Sequence, residues 1–127
     1  MAGFVLGPAE GPAYGFHGAR VVMKATAATT LGQLAVMEST YPAGLAVRDH
    51  VHDGEDEMFY LLAGELTARC EADSWTVVPG SFVFVPRGCR HGFVVTSAEP
   101  ARAVVITGPP RLDQLIADRA EPPPAVR

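Results

Sequence analysis

Apolar and polar positions alternate with a period of two along most of this chain, in short runs broken by Gly, Pro and small polar residues. That pattern predicts strands joined by tight turns. Residues 19–26, carrying Val21, Val22 and Met23, read as a strand ended by the small polar run at 27–30. Residues 31–40 read as a second, with Gln33, Ala35 and Met37 on one face and Leu34, Val36 and Glu38 on the other. A turn at 41–44 leads into a strand over 46–52, and the acidic stretch at 53–56 reads as a solvated connection. Glu57, Phe59 and Leu61 then share one strand face, and Met58, Tyr60 and Leu62 the other. Because that second face is also apolar, it is expected to be covered by another sheet or a second subunit. Further strands are predicted over 66–71, 75–78, 82–85 (buried on both faces), from His91 onward, and over 102–107. Leu112, Leu115 and Ile116 fall at helical spacing within 111–119, a short amphipathic helix.

The expected organisation is all-β: an irregular Gly-, Pro- and Ala-rich arm at 1–18, one domain over 19–119, and an extended, poorly ordered tail at 120–127, which holds three consecutive prolines. A chain of 127 residues has room for one sizeable core. Its 13 Gly and 11 Pro exclude a helical bundle. The formal charge of −4, without a basic stripe, argues against nucleic-acid and anionic-membrane partners. No apolar run approaches the ~20 residues a membrane-spanning helix needs. The first basic residue is Arg20, so the charged start of a signal peptide is missing and a cytoplasmic location is expected. Two cysteines make no disulfide framework: Cys70 reads as a small core residue and Cys89 as a loop thiol.

Candidate chemistry concentrates between Gly44 and His91. His50 and His52 are two apart, which places both on one face of a strand. Glu57 stands at the entrance of the next strand, and His91 follows the turn Pro86-Arg87-Gly88. Three imidazoles and one carboxylate suit a divalent first-row ion, Fe, Mn, Co, Ni, Cu or Zn, with positions left open for a ligand. Alternation puts Arg48 on the face of the histidines. It either meets a substrate anion or ion-pair partner inside or escapes to the rim where the strand bends. Phe59, Phe93, Val95 and Met37 are expected to form an apolar wall suited to an aromatic or hydrophobic small molecule. His17 has no companion at ligand spacing.

Gly44, five residues, His50-x-His52, four residues, Glu57, six residues and Gly64 resembles the first motif of the cupins. Gly80, five residues, Pro86-x-Gly88, two residues and His91 resembles the second, with Val95 where the family usually has asparagine. The resemblance implies a jelly-roll β-barrel holding a metal on His50, His52, Glu57 and His91. The flanks resemble the quercetin-dioxygenase-like cupins, which implies an aromatic hydroxy-compound at the metal, reaction with dioxygen, and Glu57 able to take the substrate proton. Val95 puts in doubt any step that uses the asparagine. Small cupins often pair through their N-terminal strands, so a homodimer is also implied. Cupins span many chemistries, and three classes stay open: a metal-dependent oxygenase, a non-redox cyclase or isomerase of aromatic or polyketide-like substrates, and a binding module.

Overall fold

The structure is a computed structural model and describes residues 2–125. Ten strands and one helix follow in the order β1 (Ala13–Phe16), β2 (Ala19–Ala25), β3 (Ala35–Tyr41), β4 (Ala46–Val51), β5 (Asp56–Ala63), β6 (Leu66–Cys70), β7 (Asp73–Val77), β8 (Phe82–Val85), β9 (Arg90–Val95), β10 (Ala101–Gly108) and α1 (Leu112–Asp118). They form two antiparallel sheets, β1-β2-β3-β10-β5-β8 and β4-β9-β6-β7, in the jelly-roll arrangement. No strand pairing closes the two sheets into a cylinder among the described residues; they face one another.

Period-two burial decides the layering. Val21 and Met23 of β2, Ala35 and Met37 of β3, Phe59 and Leu61 of β5, and Ala103 and Val105 of β10 are buried, as are Leu66 and Ala68 of β6 opposite. These positions, each two apart, make one core between the sheets. Gly64 turns the chain from β5 in one sheet to β6 in the other at φ +80°, where its missing side chain lets the turn lie against Ala101.

Several elements differ from expectation. The arm contains β1, which pairs with β2 because Tyr14 and Phe16 pack on the core. The second strand starts at Ala35, since Leu31 sits in a turn at φ 56°. The tail is docked: Glu121 exchanges backbone hydrogen bonds with Gly15, 2.8 Å each way, and Arg20 donates to the Pro124 carbonyl at 3.1 Å. Residues 126 and 127 of the expected tail lie outside the described residues. β8 is an edge strand buried on one face only, with Phe82 61% and Phe84 48% exposed. Four apolar residues in succession do not reveal which face of an edge strand is covered. The cysteines are joined, Cys70 to Cys89, because β6 and β9 pair Cys70 with His91 and bring the turn before His91 alongside. Such bonds persist chiefly in oxidising surroundings.

Candidate metal centre

Four side chains meet between the sheets. His50 and His91 face each other across the β4–β9 pair, Glu57 opens β5 of the other sheet, and His52 lies just beyond β4. The Nε2 atoms of His50 and His52 are 3.0 Å apart, and ligand atoms of all three histidines fall within 4.8 Å of one another. Glu57 spreads its carboxylate over the group, Oε1 3.5 Å from His91 Nε2 and Oε2 3.9 Å from His52 Nε2.

On every ring the other nitrogen is engaged. His50 Nδ1 donates to the Arg48 carbonyl (2.8 Å) and His91 Nδ1 to the Cys89 carbonyl (3.0 Å). His52 Nδ1 lies 3.3 Å from Glu55 Oε1. Acceptors beside all three Nδ1 atoms favour the tautomer that frees Nε2 for a metal, and the 3.0 Å approach of His50 Nε2 to His52 Nε2 calls for a shared proton or a cation between them. His91 Nε2 is buried without a hydrogen-bond partner. Converging lone pairs beside a carboxylate fit a cation, and the donor set suits a divalent transition metal.

The ionisable groups differ in what acts on them. Burial is the largest influence on His50 and, with the neighbouring His91 and His52, outweighs the Arg48 carbonyl and lowers its pKa. Burial works against charge on His91 too, but Glu57 and the Cys89 carbonyl prevail and raise it. Burial would raise the Glu55 carboxyl, yet His52 and the backbone N–H groups of Arg111 and Leu112 together hold it below the ordinary range. Burial pushes the Tyr41 phenol well up; Ser39 opposes this and the charge on Glu57 adds to it.

A β-bulge between Val47 and His50 breaks the alternation of β4. Arg69 braces it, reaching Asp49 Oδ1 from Nε (3.0 Å) and Nη2 (2.9 Å) and the Val47 carbonyl at 3.3 Å. Arg48 therefore emerges exposed at the cavity rim.

The cavity beside the cluster measures about 750 Å³ and reaches His50, His52 and Glu57. Met37, Phe59 and Phe93 line it as expected; Val95 is buried in the core and does not reach its surface. Five contributions were not foreseen. Tyr41, placed in a turn by the sequence, ends β3 and stacks edge-on against Phe93 at 4.9 Å, and Ser39 lies two residues before it. Leu112, Leu115 and Ile116 of α1 close one side. His17, held at φ 49° against Phe16, also touches the cavity. Glu55 is 3% exposed, not part of a solvated turn. A Ser or Thr cap preceding α1 would have hinted at a local partner; Arg111 stands there instead, and the acceptor comes from Glu55.

Residues 37–107 match the family model described as Cupin domain, more than half of the chain. The chain is a cupin. Over 68 residues it is 34% identical to quercetin 2,3-dioxygenase of Bacillus subtilis (strain 168), a stretch covering 54% of this cupin and 20% of that enzyme. The solved structure of TT1209 from Thermus thermophilus is 33% identical, with a TM-score of 0.56 over 60% of this chain and 72% of that one. KdgF from a Halomonas species superposes with a TM-score of 0.75 over 89% of this chain and 99% of its own, at 18% identity. That last likeness concerns the fold alone.

Proposed function

We propose that this cupin is a metal-dependent oxygenase acting on a small aromatic or apolar organic molecule, with His50, His52, Glu57 and His91 as the ligands of one divalent transition ion. The observation that carries the reading is the juxtaposition of three convergent histidine rings and a carboxylate with a cavity of about 750 Å³ walled by Phe59, Phe93 and Met37. That volume lies within the range of small-molecule sites. The partial likeness to quercetin 2,3-dioxygenase supports the same direction.

When bound, such an ion supplies Lewis acidity and, if redox-active, a means of engaging dioxygen. The chain's own residues do the rest. Phe59 and Phe93, with ring centroids 6.4 Å apart and tilted, form a corner that grips a flat ring. Arg48 at the rim favours an anionic or phenolic substituent at the entrance. Glu57, on the floor, accepts the proton of a hydroxyl that enters the ligand cluster. Tyr41, kept neutral by burial, offers a hydroxyl donor to the substrate's polar edge.

The Tyr41 hydroxyl beside an acceptor carboxylate also serves a cyclase or isomerase, in which one group donates and the other removes a proton without dioxygen. Oxygen consumption separates the readings. Purified protein is expected to hold close to one transition ion per chain, lost on replacing His50, His52 or His91 by alanine. An aromatic hydroxy-compound should drive dioxygen uptake, and Glu57→Gln should keep most of the metal while turnover falls by roughly two to four orders of magnitude. Full metal in all three histidine variants would refute the ligand set. Turnover that proceeds equally well without dioxygen would leave the isomerase.

A further inference from the structure

Glu55 is the one acid of its turn that is buried, and it contacts both a proposed metal ligand and the C-terminal helix. Oε1 lies 3.3 Å from His52 Nδ1, while Oε2 accepts from the backbone N–H of Arg111 (2.9 Å) and of Leu112 (3.1 Å). The neighbouring acids do other work: Asp56 pairs with Arg87 at the surface, and Glu57 faces the Nε2 cluster. The Arg111 guanidinium lies against Gly54, at the turn that carries Glu55. Asp113 secures the helix on its other side, accepting from the Ala27 N–H at 2.8 Å.

We propose that Glu55 is a positioning residue, which fixes His52 as the Nδ1–H tautomer and joins the seat of α1 to the metal centre. The inference rests on the metal reading above. Three donors converge on two oxygens, and only a group that accepts everywhere satisfies them. An amide cannot. If its oxygen stays on the two backbone N–H groups, its NH₂ meets His52 Nδ1 and drives the ring proton to Nε2, the atom needed for the ion. If the amide turns round, two buried N–H groups lose their acceptor and the helix start is unpaired. The same helix supplies Leu112, Leu115 and Ile116 to the cavity wall, so one carboxylate holds both the wall and the ligand.

The test compares wild type with Glu55→Gln, using Asp56→Asn as the neighbouring-acid control. Imidazole nitrogen NMR on the metal-free proteins reads the His52 tautomer directly. Competition titration with Zn²⁺ reads affinity. Wild type and the control should show His52 protonated on Nδ1. Glu55→Gln should move that proton to Nε2 and weaken Zn²⁺ binding 10- to 100-fold, the usual scale for losing a group that orients a ligand. An unchanged tautomer, or an affinity within about threefold of wild type against that expected loss, overturns the proposal. Should Glu55→Gln fail to fold, wild type decides: a solvent-protected His52 Nδ1–H resonance supports the role and its absence overturns it. If wild type binds no Zn²⁺ or other transition ion, the proposed function fails, while the tautomer comparison still decides the role of Glu55.

Discussion

Breaking the Cys70–Cys89 disulfide should cost this small domain a substantial share of its stability. The bond spans 19 residues, and closing a loop of that size removes enough denatured-state entropy to be worth about 3 kcal/mol. An unfolding entropy of about 2.1 cal/mol/K per residue over 127 residues gives roughly 270 cal/mol/K, so the loss corresponds to a fall in Tm of about 10 °C. The effect should extend to the site. Cys89 is two residues before His91, its carbonyl accepts from His91 Nδ1, and Cys70 is the strand partner of His91. Scanning calorimetry on metal-free protein, oxidised against reduced and alkylated, measures the shift, with Cys70→Ala as a second route to the open loop. Thiol titration in denaturant should find no free thiol before reduction and two after. Melting points that agree within about 2 °C, set against the expected shift, would refute the reasoning, as would two free thiols in freshly purified protein.

Three further outcomes follow from particular contacts. Gly92→Ala would place a Cβ 2.6 Å from both the Val47 carbonyl and Asp49 Oδ1, so β4 must part from β9 at the bulge; we expect a loss of about 1–3 kcal/mol and weaker metal binding, read by urea melts and metal titration. The outer face of β5 and β8 exposes Tyr60 (45%), Leu62 (38%), Phe82 and Phe84, and we expect a second copy to cover it: light scattering should give twice 13.4 kDa at micromolar concentration, and Phe82→Glu should give the monomer. The folded pKa of Glu55 lies below its ordinary 4.5, so on acidification the unfolded chain takes up this proton first. Its stabilisation is complete above about pH 4.5 and lost as the pH falls through the folded value, so the stability gap between wild type and Glu55→Gln in metal-free melts should close towards acid. A constant gap down to pH 3, well below the ordinary carboxylate value, would exclude that linkage.

Much of this centre is legible in the chain because its spacings are short and local. His50 and His52 need only a strand-like backbone to converge, and the glycines at 44, 64, 80 and 88 all take positive φ, as turns between such strands demand. The period of two likewise placed Met37, Phe59 and Phe93 inside. What escaped depends on contacts between distant segments. Alternation assigned Arg48 to the inner face, but a bulge braced by Arg69, 20 residues beyond Asp49, turns it outward. Asp53, Glu55 and Asp56 look alike in composition; only the arrival of Arg111 and Leu112, more than 50 residues later, buries the middle one. The cysteine pair joins two segments that no local pattern connects, and β8 reads as a central strand until its place at the sheet edge is known.

The four proposed ligands are divided between the two sheets, so an ion bound there would be coupled to the fold. His50 and His91 belong to the four-stranded sheet, Glu57 to the six-stranded one, and His52 to the segment crossing between them. Since no strand pairing joins the sheets among the described residues, an ion held by all four groups would add a cross-link between them beyond the chain's own connections. Ligation therefore favours the folded chain by the ordinary mass-action relation, about 2.7 kcal/mol at a free metal concentration 100 times Kd. The reverse holds equally: whatever parts the sheets opens the ligand set. The core between them is nevertheless apolar and continuous from Val21 to Leu66, so it keeps the sheets in register without metal. This is the condition for a site whose Nε2 atoms converge before any ion arrives, and it confines the entropy of assembling the ligands to the folding step. It also divides the labour within the cavity, with charge gathered at the cluster and shape set by Phe59, Phe93, Tyr41 and α1. Substitutions in that wall should change which molecule is accepted while leaving the ion in place.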